Sequence, residues 1–162
     1  MSKEKILIVD DFPASVRILA SKLAEDYQVL TATSGSEALD IIQNEPPDLI
    51  LLDIMMPVMD GYELCKLLKQ DERFHYIPVI FVTARAEEEN EEKGLALGAV
   101  DYLVKPVSAA IIKARVRTHL ELKRHREHLE KMVEERTNEL HKALKLLQAK
   151  KKSEFRQACR TR

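Results

Sequence analysis

The first two thirds of the chain alternate short apolar runs with segments whose apolar residues recur at helical spacing. The apolar runs, which we interpret as β-strands, are Lys5–Asp11, Gln28–Ala32, Asp48–Asp53, Pro78–Thr83 and Asp101–Val104. The segments that we interpret as helices are Ser15–Glu25, Ser36–Asn44, Tyr62–Lys69 and Glu87–Leu97, the last with Gly98 as a C-cap. This alternation predicts an α/β domain with a buried parallel sheet.

The chain changes character from Ser108 onward. Neither Gly nor Pro occurs between Ser108 and Gln148, and the segment is rich in Glu, Lys, Arg and Leu, which predicts one long helix. Apolar residues at heptad spacing predict a coiled-coil seam. Its apolar members from the middle of the helix onward are Leu122, Leu129, Val133, Leu140 and Leu147. A solvated single helix or a frayed tail is the alternative.

A chain of 162 residues accommodates one domain of ordinary size and an appendage. We expect a domain over residues 1–120, a helical linker over 108–150, and a tail over 151–162 that is disordered or foreign to the natural chain. No apolar run is long enough for a signal peptide or a membrane span, so we expect a cytoplasmic protein without a membrane partner. Cys65 and Cys159 show neither metal-binding nor disulfide-framework spacing.

The net charge of −1 conceals an uneven distribution. Residues 1–108 carry 10 basic and 20 acidic side chains, whereas residues 109–162 carry 16 basic and 7 acidic ones. A basic terminal segment can indicate contact with nucleic acid, but here acids are interleaved with the bases, as on a solvated helix face. Nucleic acid is therefore not an expected partner.

Reactive side chains end four of the predicted strands. Asp10 and Asp11 end the first strand, Asp53 the third and Thr83 the fourth, and Lys105 follows the fifth. The carboxyl ends of parallel strands meet at one edge of a sheet, where open α/β domains bind their ligands. We therefore expect these five side chains to be neighbours.

Each of these residues has an ordinary structural explanation when taken alone, because adjacent acids often cap helices and Lys-Pro is common at strand exits. Three carboxylates placed together repel one another, however, and hold either protons or a cation. Mg2+ suits such a site, since it prefers oxygen ligands and takes some of them from water or phosphate. A phosphoryl group beside that ion could accept a hydrogen bond from Thr83 and pair with Lys105.

Four stretches of the sequence closely resemble the receiver domain of bacterial response regulators. They are KILIVDDFPASVRILASKL, DLILLDIMMPVMDGYELC, PVIFVTA and GLALGAVDYLVKP. The resemblance implies a (βα)5 flavodoxin-like fold, a doubly wound parallel sheet with strand order 2-1-3-4-5. It also implies a signalling switch that accepts a phosphoryl group on Asp53 from the phosphohistidine of a sensor histidine kinase. Such a switch catalyses only its own phosphorylation and dephosphorylation.

The same resemblance implies the metal ligands. Asp11, Asp53 and the backbone carbonyl of Met55 would bind Mg2+ directly, and Asp10 would act through water. Mn2+ is expected to substitute for Mg2+. Met55 and Arg85 flank the site and are expected to influence the lifetime of the phosphorylated state.

The resemblance further implies which residues respond to the phosphoryl group. Thr83 and Lys105 would contact its oxygens, and Tyr102 would be the aromatic residue that turns inward when Thr83 moves. The small residue Ala84 would leave the phosphoryl pocket open. A cis peptide bond is expected before Pro106.

The segment THLELKRHREHLEKMVEERTNEL resembles linkers between receivers and output domains, especially those of cyclic di-GMP phosphodiesterases and kinase-type regulators. We therefore expect a homodimer formed through the long helix, with the output domain outside this chain. The segment ALKLLQAKKKSEF also resembles the approach to the dimerisation helix of a histidine kinase, but no phosphoacceptor His motif follows it.

Three other functions remain open on the sequence alone. Haloacid-dehalogenase-type phosphatases also use a strand-end Asp with Mg2+, but they need a second Asp where Met55 stands here. A DNA-binding regulator would need a helix-turn-helix pattern, and none follows residue 120. A structural adaptor with an inert receiver would have no need of all five polar side chains.

Overall fold

The apolar runs form one parallel sheet in this computed structural model, which describes residues 2–84 and 88–162. The strands are β1 (Lys5–Val9), β2 (Gln28–Ala32), β3 (Leu49–Leu52), β4 (Val79–Thr83) and β5 (Asp101–Val104). Across the sheet their order is β2-β1-β3-β4-β5, and each pair of neighbours is parallel. The predicted flavodoxin-like, doubly wound α/β fold is therefore confirmed.

Helices follow each of the strands along the chain. They are α1 (Pro13–Leu23), α2 (Gly35–Asn44), α3 (Gly61–Gln70), α4 (Glu88–Ala96) and α5 (Ala109–Arg160). Helix α1 begins two residues before the predicted Ser15, because proline is well tolerated in the first turn of a helix. Gly98, with a φ of 103°, follows α4 and confirms the predicted C-cap position.

Of the two alternatives for the tail over residues 151–162, disorder is wrong as far as Arg160, because α5 continues to that residue, and a foreign origin stays a prediction. No Gly or Pro interrupts this stretch, and its Lys, Glu, Arg and Ala residues favour helix. The predicted heptad seam ends at Leu147 and gave no reason to extend the helix beyond it.

The central strands are buried on both faces, as their apolar composition predicts. Alternate residues of a strand point to opposite faces of the sheet, so each strand contributes to two hydrophobic clusters. One cluster combines strand residues such as Leu52 and Phe81 with side chains of α2 and α3. The other combines Ile8 and Val82 with side chains of α1 and with the first turns of α5.

Two features fix the start of α3 against the sheet. The Asp60 side chain caps the helix by accepting a hydrogen bond from the Glu63 backbone N–H at 2.9 Å. The Gly61 N–H donates to the Ile54 carbonyl at 2.8 Å. A methyl group at Gly61 would lie 2.2 Å from the Asp53 carbonyl oxygen, so this close approach requires glycine.

The chain divides into two units, the first ending at Lys123 and the second comprising Arg124–Arg162. In the first unit, Ile112, Val116 and Leu120 of α5 are buried in the core. In the second unit every residue is exposed. Cys65 is buried and Cys159 is exposed, and both are free thiols. Among the described residues, no helix has the length and apolar character needed to cross a membrane.

Candidate functional site

Three carboxylates meet at the carboxyl edge of the sheet. Asp10 and Asp11 follow β1, and Asp53 follows β3, the strand beside it. One carboxylate oxygen from each of the three lies within 4.8 Å of the others. Asp10 is 1% exposed and Asp53 is 9% exposed, whereas Asp11 is open to solvent. The structure therefore brings together the three acids that were predicted to share one edge.

Backbone hydrogen bonds hold the two buried carboxylates in place. The Phe12 N–H donates to Asp10 Oδ1 at 2.9 Å, and the Ile54 N–H donates to Asp53 Oδ1 at 2.8 Å. The Asp53 N–H is itself bonded to the Val9 carbonyl at 2.9 Å, which continues the pairing of β1 with β3. One oxygen of each buried acid is thus fixed by the main chain, and the other faces its charged neighbours.

Lys105 bridges the two buried acids from the end of β5. Its Nζ lies 2.5 Å from Asp10 Oδ2 and 3.7 Å from Asp53 Oδ2. The peptide bond that follows, Lys105–Pro106, is cis, as predicted. The position of Lys105 after its strand predicted that it would lie near Asp53, but gave no sign that Asp10 would be its shorter contact.

Burial raises the pKa of the Asp53 carboxyl above its ordinary value, and the neighbouring charge of Asp10 acts in the same direction. The Lys105 ammonium, a hydrogen bond from Thr83 and the Ile54 N–H lower the pKa of Asp53 but do not outweigh these effects. The ionised form of Asp53 is therefore held in a poorly solvated site beside another acid. A bound cation would relieve both costs.

The remaining predicted site residues lie around this group. Thr83 is fully buried, Ala84 is exposed and Met55 is half exposed. Tyr102 is 8% exposed, and its ring lies 6.3 Å from that of Phe81, measured between centroids. Arg85, predicted to flank the site, lies outside the described residues.

A cavity of about 620 Å³ opens beside Asp11 and Met55. Tyr62, Asn90 and Lys93 also line this cavity, and the sequence did not predict them as site residues. Tyr62 of α3 donates a hydrogen bond from its hydroxyl to the Asn90 carbonyl of α4 at 3.1 Å. The Lys93 Nζ lies 4.5 Å from the centre of the Tyr62 ring, a cation–π contact. No sequence spacing indicates this contact, because only the folded packing brings α3 and α4 together.

Comparison with known proteins identifies the group to which this site belongs. The family model described as "Response regulator receiver domain" matches residues 6–117. The chain belongs to the response regulator receiver family. The matched residues include both ends of the site, from Asp10 to Lys105, and the fold agrees with the family resemblance drawn from the sequence.

Two curated relatives show the same similarity over the receiver part. A Vibrio cholerae protein named "Probable cyclic di-GMP phosphodiesterase" is 47% identical over 124 residues, which cover 76% of this chain and 28% of that protein. The response regulator PleD of Caulobacter vibrioides is 46% identical over 115 residues, covering 70% of this chain and 25% of PleD. The chain thus spans about a quarter of the length of these two relatives.

Solved receiver structures superpose on the same region. A CheY-like receiver domain protein from Methanospirillum hungatei has a TM-score of 0.72 and 32% identity, covering 77% of this chain and 99% of the other. The chemotaxis protein CheY4 of Vibrio cholerae has a TM-score of 0.69 and 30% identity, covering 72% of this chain and 98% of CheY4. Membership of the receiver family makes this chain a phosphoryl-accepting signalling module of two-component systems.

Proposed function

We propose that Asp53 is the phosphoacceptor of this receiver, and that it takes its phosphoryl group from the phosphohistidine of a sensor histidine kinase in a Mg2+-dependent reaction. The observation that carries the proposal is the meeting of three carboxylates and Lys105 around Asp53. In the transfer, an Asp53 carboxylate oxygen bonds to phosphorus while the bond from phosphorus to the histidine nitrogen breaks.

The donor set fits Mg2+ by its chemistry. Asp11 and Asp53 would be direct ligands with the Met55 backbone carbonyl, and Asp10 would bind through water. These are oxygen donors, one of the carboxylates is open to solvent, and Mg2+ retains water in such sites. Bound Mg2+, or Mn2+ in its place, would neutralise charge that builds up on the phosphoryl oxygens.

Lys105 and Thr83 are positioned to respond to the phosphoryl group. Lys105 is now shared between Asp10 and Asp53, and a new anion on Asp53 would compete for its ammonium. Phosphorylation adds nearly two negative charges and three acceptor oxygens. Thr83 would donate to one of these oxygens, Tyr102 would follow the movement of Thr83, and Ala84 would leave space for the group.

The residues favour a switch over an enzyme that acts on external substrates. The position two residues after Asp53 is Met55, which has no proton to donate or accept. We propose that the chain catalyses only its own phosphorylation and dephosphorylation, and that it works in the cytoplasm.

The output of the switch would pass through α5. We propose that the exposed apolar residues of its distal part support a homodimer, and that phosphorylation changes the association of these helices. The seam residues Leu129, Val133 and Leu140 are 59%, 64% and 65% exposed, as a dimer surface would require. The output domain would lie outside this chain, as the greater length of the relatives suggests.

A phosphodonor assay tests the central claim. The protein is incubated with Mg2+ and acetyl phosphate and its mass is measured, with Asp53→Asn as the matched control. We expect a gain of one phosphoryl group in the wild type, none in the variant, and none when Mg2+ is chelated. An unchanged wild-type mass at every donor concentration would refute the proposal.

A further inference from the structure

The second unit, Arg124–Arg162, carries an apolar stripe that has no covering in the described part of this chain. Its members are Leu129, Val133, Leu140, Leu144 and Leu147, between 53% and 65% exposed. At 100° per residue these side chains share one side of the helix. The stripe keeps heptad spacing to Leu140 and also includes Leu144, which is not a member of the predicted seam. Helices of this kind owe most of their stability to packing, so the stripe calls for a partner.

The charges along the same helix reverse at the middle of the stripe. Residues 127–139 contain five glutamates and two basic residues, a net charge of −3. Residues 141–153 contain five lysines and no acid, a net charge of +5 with histidine neutral. The two segments have equal length and meet at Leu140.

We propose that residues 127–153 pair with the same segment of a second copy of this chain in antiparallel orientation, centred near Leu140. This arrangement sets each acidic segment against a basic one. A parallel dimer in register would instead place the two acidic segments, each with a net charge of −3, beside each other, and likewise the two basic segments, each with a net charge of +5. The inference builds on the homodimer of the proposed function and specifies its orientation.

The antiparallel register pairs the middle of the apolar stripe with itself, whereas Leu144 falls opposite Arg136 of the second copy. Val133 falls opposite Leu147 of the second copy, and Leu140 falls opposite its own counterpart. Lys151, which lies on the stripe itself, falls opposite Leu129 and beside Glu130 of the second copy. In a parallel dimer Glu130 and Lys151 are 21 residues apart along the axis, about 30 Å at 1.5 Å per residue, and never meet.

Disulfide cross-linking of the full chain distinguishes the two orientations. Val133→Cys and Leu147→Cys are made separately with Cys159→Ser, and Cys65 stays buried. In the antiparallel dimer the mixture of the two variants cross-links, whereas each alone has its cysteines about 21 Å apart along the axis, too far for a disulfide. Strong cross-linking of each variant alone, without enrichment in the mixture, would overturn the antiparallel orientation.

Charge reversal provides an independent test by sedimentation. We expect Lys151→Glu to weaken dimerisation about tenfold, because it sets Glu beside Glu130 twice per dimer, and the double variant Glu130→Lys/Lys151→Glu to restore it. Lys131→Glu, on the opposite side of the helix, is the matched control and should change the dissociation constant less than about twofold. Added salt should weaken the antiparallel dimer and strengthen a parallel one.

The outcomes separate this inference from the proposed function. A chain that gains its phosphoryl group on Asp53 but shows no rescue in the double variant, or remains monomeric with and without acetyl phosphate, would overturn the antiparallel dimer alone. Loss of phosphorylation with mixture-specific cross-linking intact would refute the phosphoacceptor proposal and leave the dimer standing.

Discussion

Replacing Gly61 by alanine should damage the domain severely, because the added methyl group would meet the main chain that carries Asp53. It would lie 2.2 Å from the Asp53 carbonyl oxygen and 2.8 Å from the Ile54 Cα. Carbon and oxygen normally stay about 3.3 Å or more apart. The start of α3 would therefore have to move away from the end of β3 by about 1 Å.

The expected loss of stability follows from this displacement. Overfilling a packed site costs about 1–3 kcal/mol, and backbone atoms cannot turn aside as a side chain can. Separation would also lengthen the 2.8 Å hydrogen bond from the Gly61 N–H to the Ile54 carbonyl, which contributes about 1 kcal/mol. We expect a total of about 3 kcal/mol, a fall in Tm of roughly 10 °C or more for a domain of this size.

Urea and thermal denaturation measure this loss, and acetyl phosphate uptake reports whether Asp53 has moved. Gly35→Ala is the matched control, since Gly35 also begins a helix but the three atoms nearest to its methyl group would belong to the Met59 side chain, Sδ at 2.7 Å and Cβ and Cγ at 3.0 Å. Rotation of that side chain relieves the contacts with Sδ and Cγ, and the Cβ contact needs a shift of only a few tenths of an ångström, so the control should lose no more than about 1 kcal/mol. Equal stability and equal phosphoryl uptake in the two variants would refute the reasoning.

Three further predictions concern the loops around the site. Burial raises the pKa of Asp53, so its ionised form destabilises the folded state as the pH rises above the ordinary value of 3.8. In the presence of a chelator, Asp53→Asn should therefore have a higher melting temperature than the wild type at neutral pH. A difference in melting temperature that stays constant down to acid pH would contradict this. Val58 is fully exposed, has a φ of 69° and is strained in the γ-turn closed by the Met59 N–H. Val58→Asn should therefore raise the stability of the domain by about 1 kcal/mol. An unchanged midpoint of urea denaturation would count against strain at this residue. Asp11→Ala should abolish Mg2+ binding in a titration, and equal Mg2+ affinity in this variant and the wild type would refute that expectation. Lys105→Ala should retain Mg2+ binding and blunt the response to phosphorylation.

The site was predictable from sequence because strand ends in a parallel sheet share one edge. Once the apolar runs were ordered, the positions of Asp10, Asp53 and Thr83 followed from the fold. The pairing of Lys105 with Asp10 at 2.5 Å did not follow, since a flexible side chain among several acids selects its partner by local geometry. The residues alone predicted their proximity and a site suited to Mg2+ and a phosphoryl group, and the family resemblance supplied the phosphoacceptor role of Asp53 and the kinase partner.

The features of the fold and site that the sequence did not predict depend on contacts between distant segments or on the positions of helix ends. The hydrogen bond from Tyr62 to Asn90 joins two helices whose packing no periodicity encodes. The extension of α5 to Arg160 depends on helix propensity beyond Leu147, the last residue of the predicted seam. Helix boundaries are weakly specified locally, which explains shifts such as that of α1 to Pro13.

The reactivity of the two cysteine thiols reports local opening of the receiver core. Cys65 is fully inaccessible within α3, and burial raises the pKa of its thiol, so the reactive thiolate is scarce while the domain is closed. Cys159 is exposed and supplies an internal reference for full reactivity in the same chain. The ratio of alkylation rates at the two positions therefore measures how often the receiver core opens. Any ligand of the phosphoacceptor site that stabilises the closed core, Mg2+ included, should slow labelling of Cys65 and leave Cys159 unchanged.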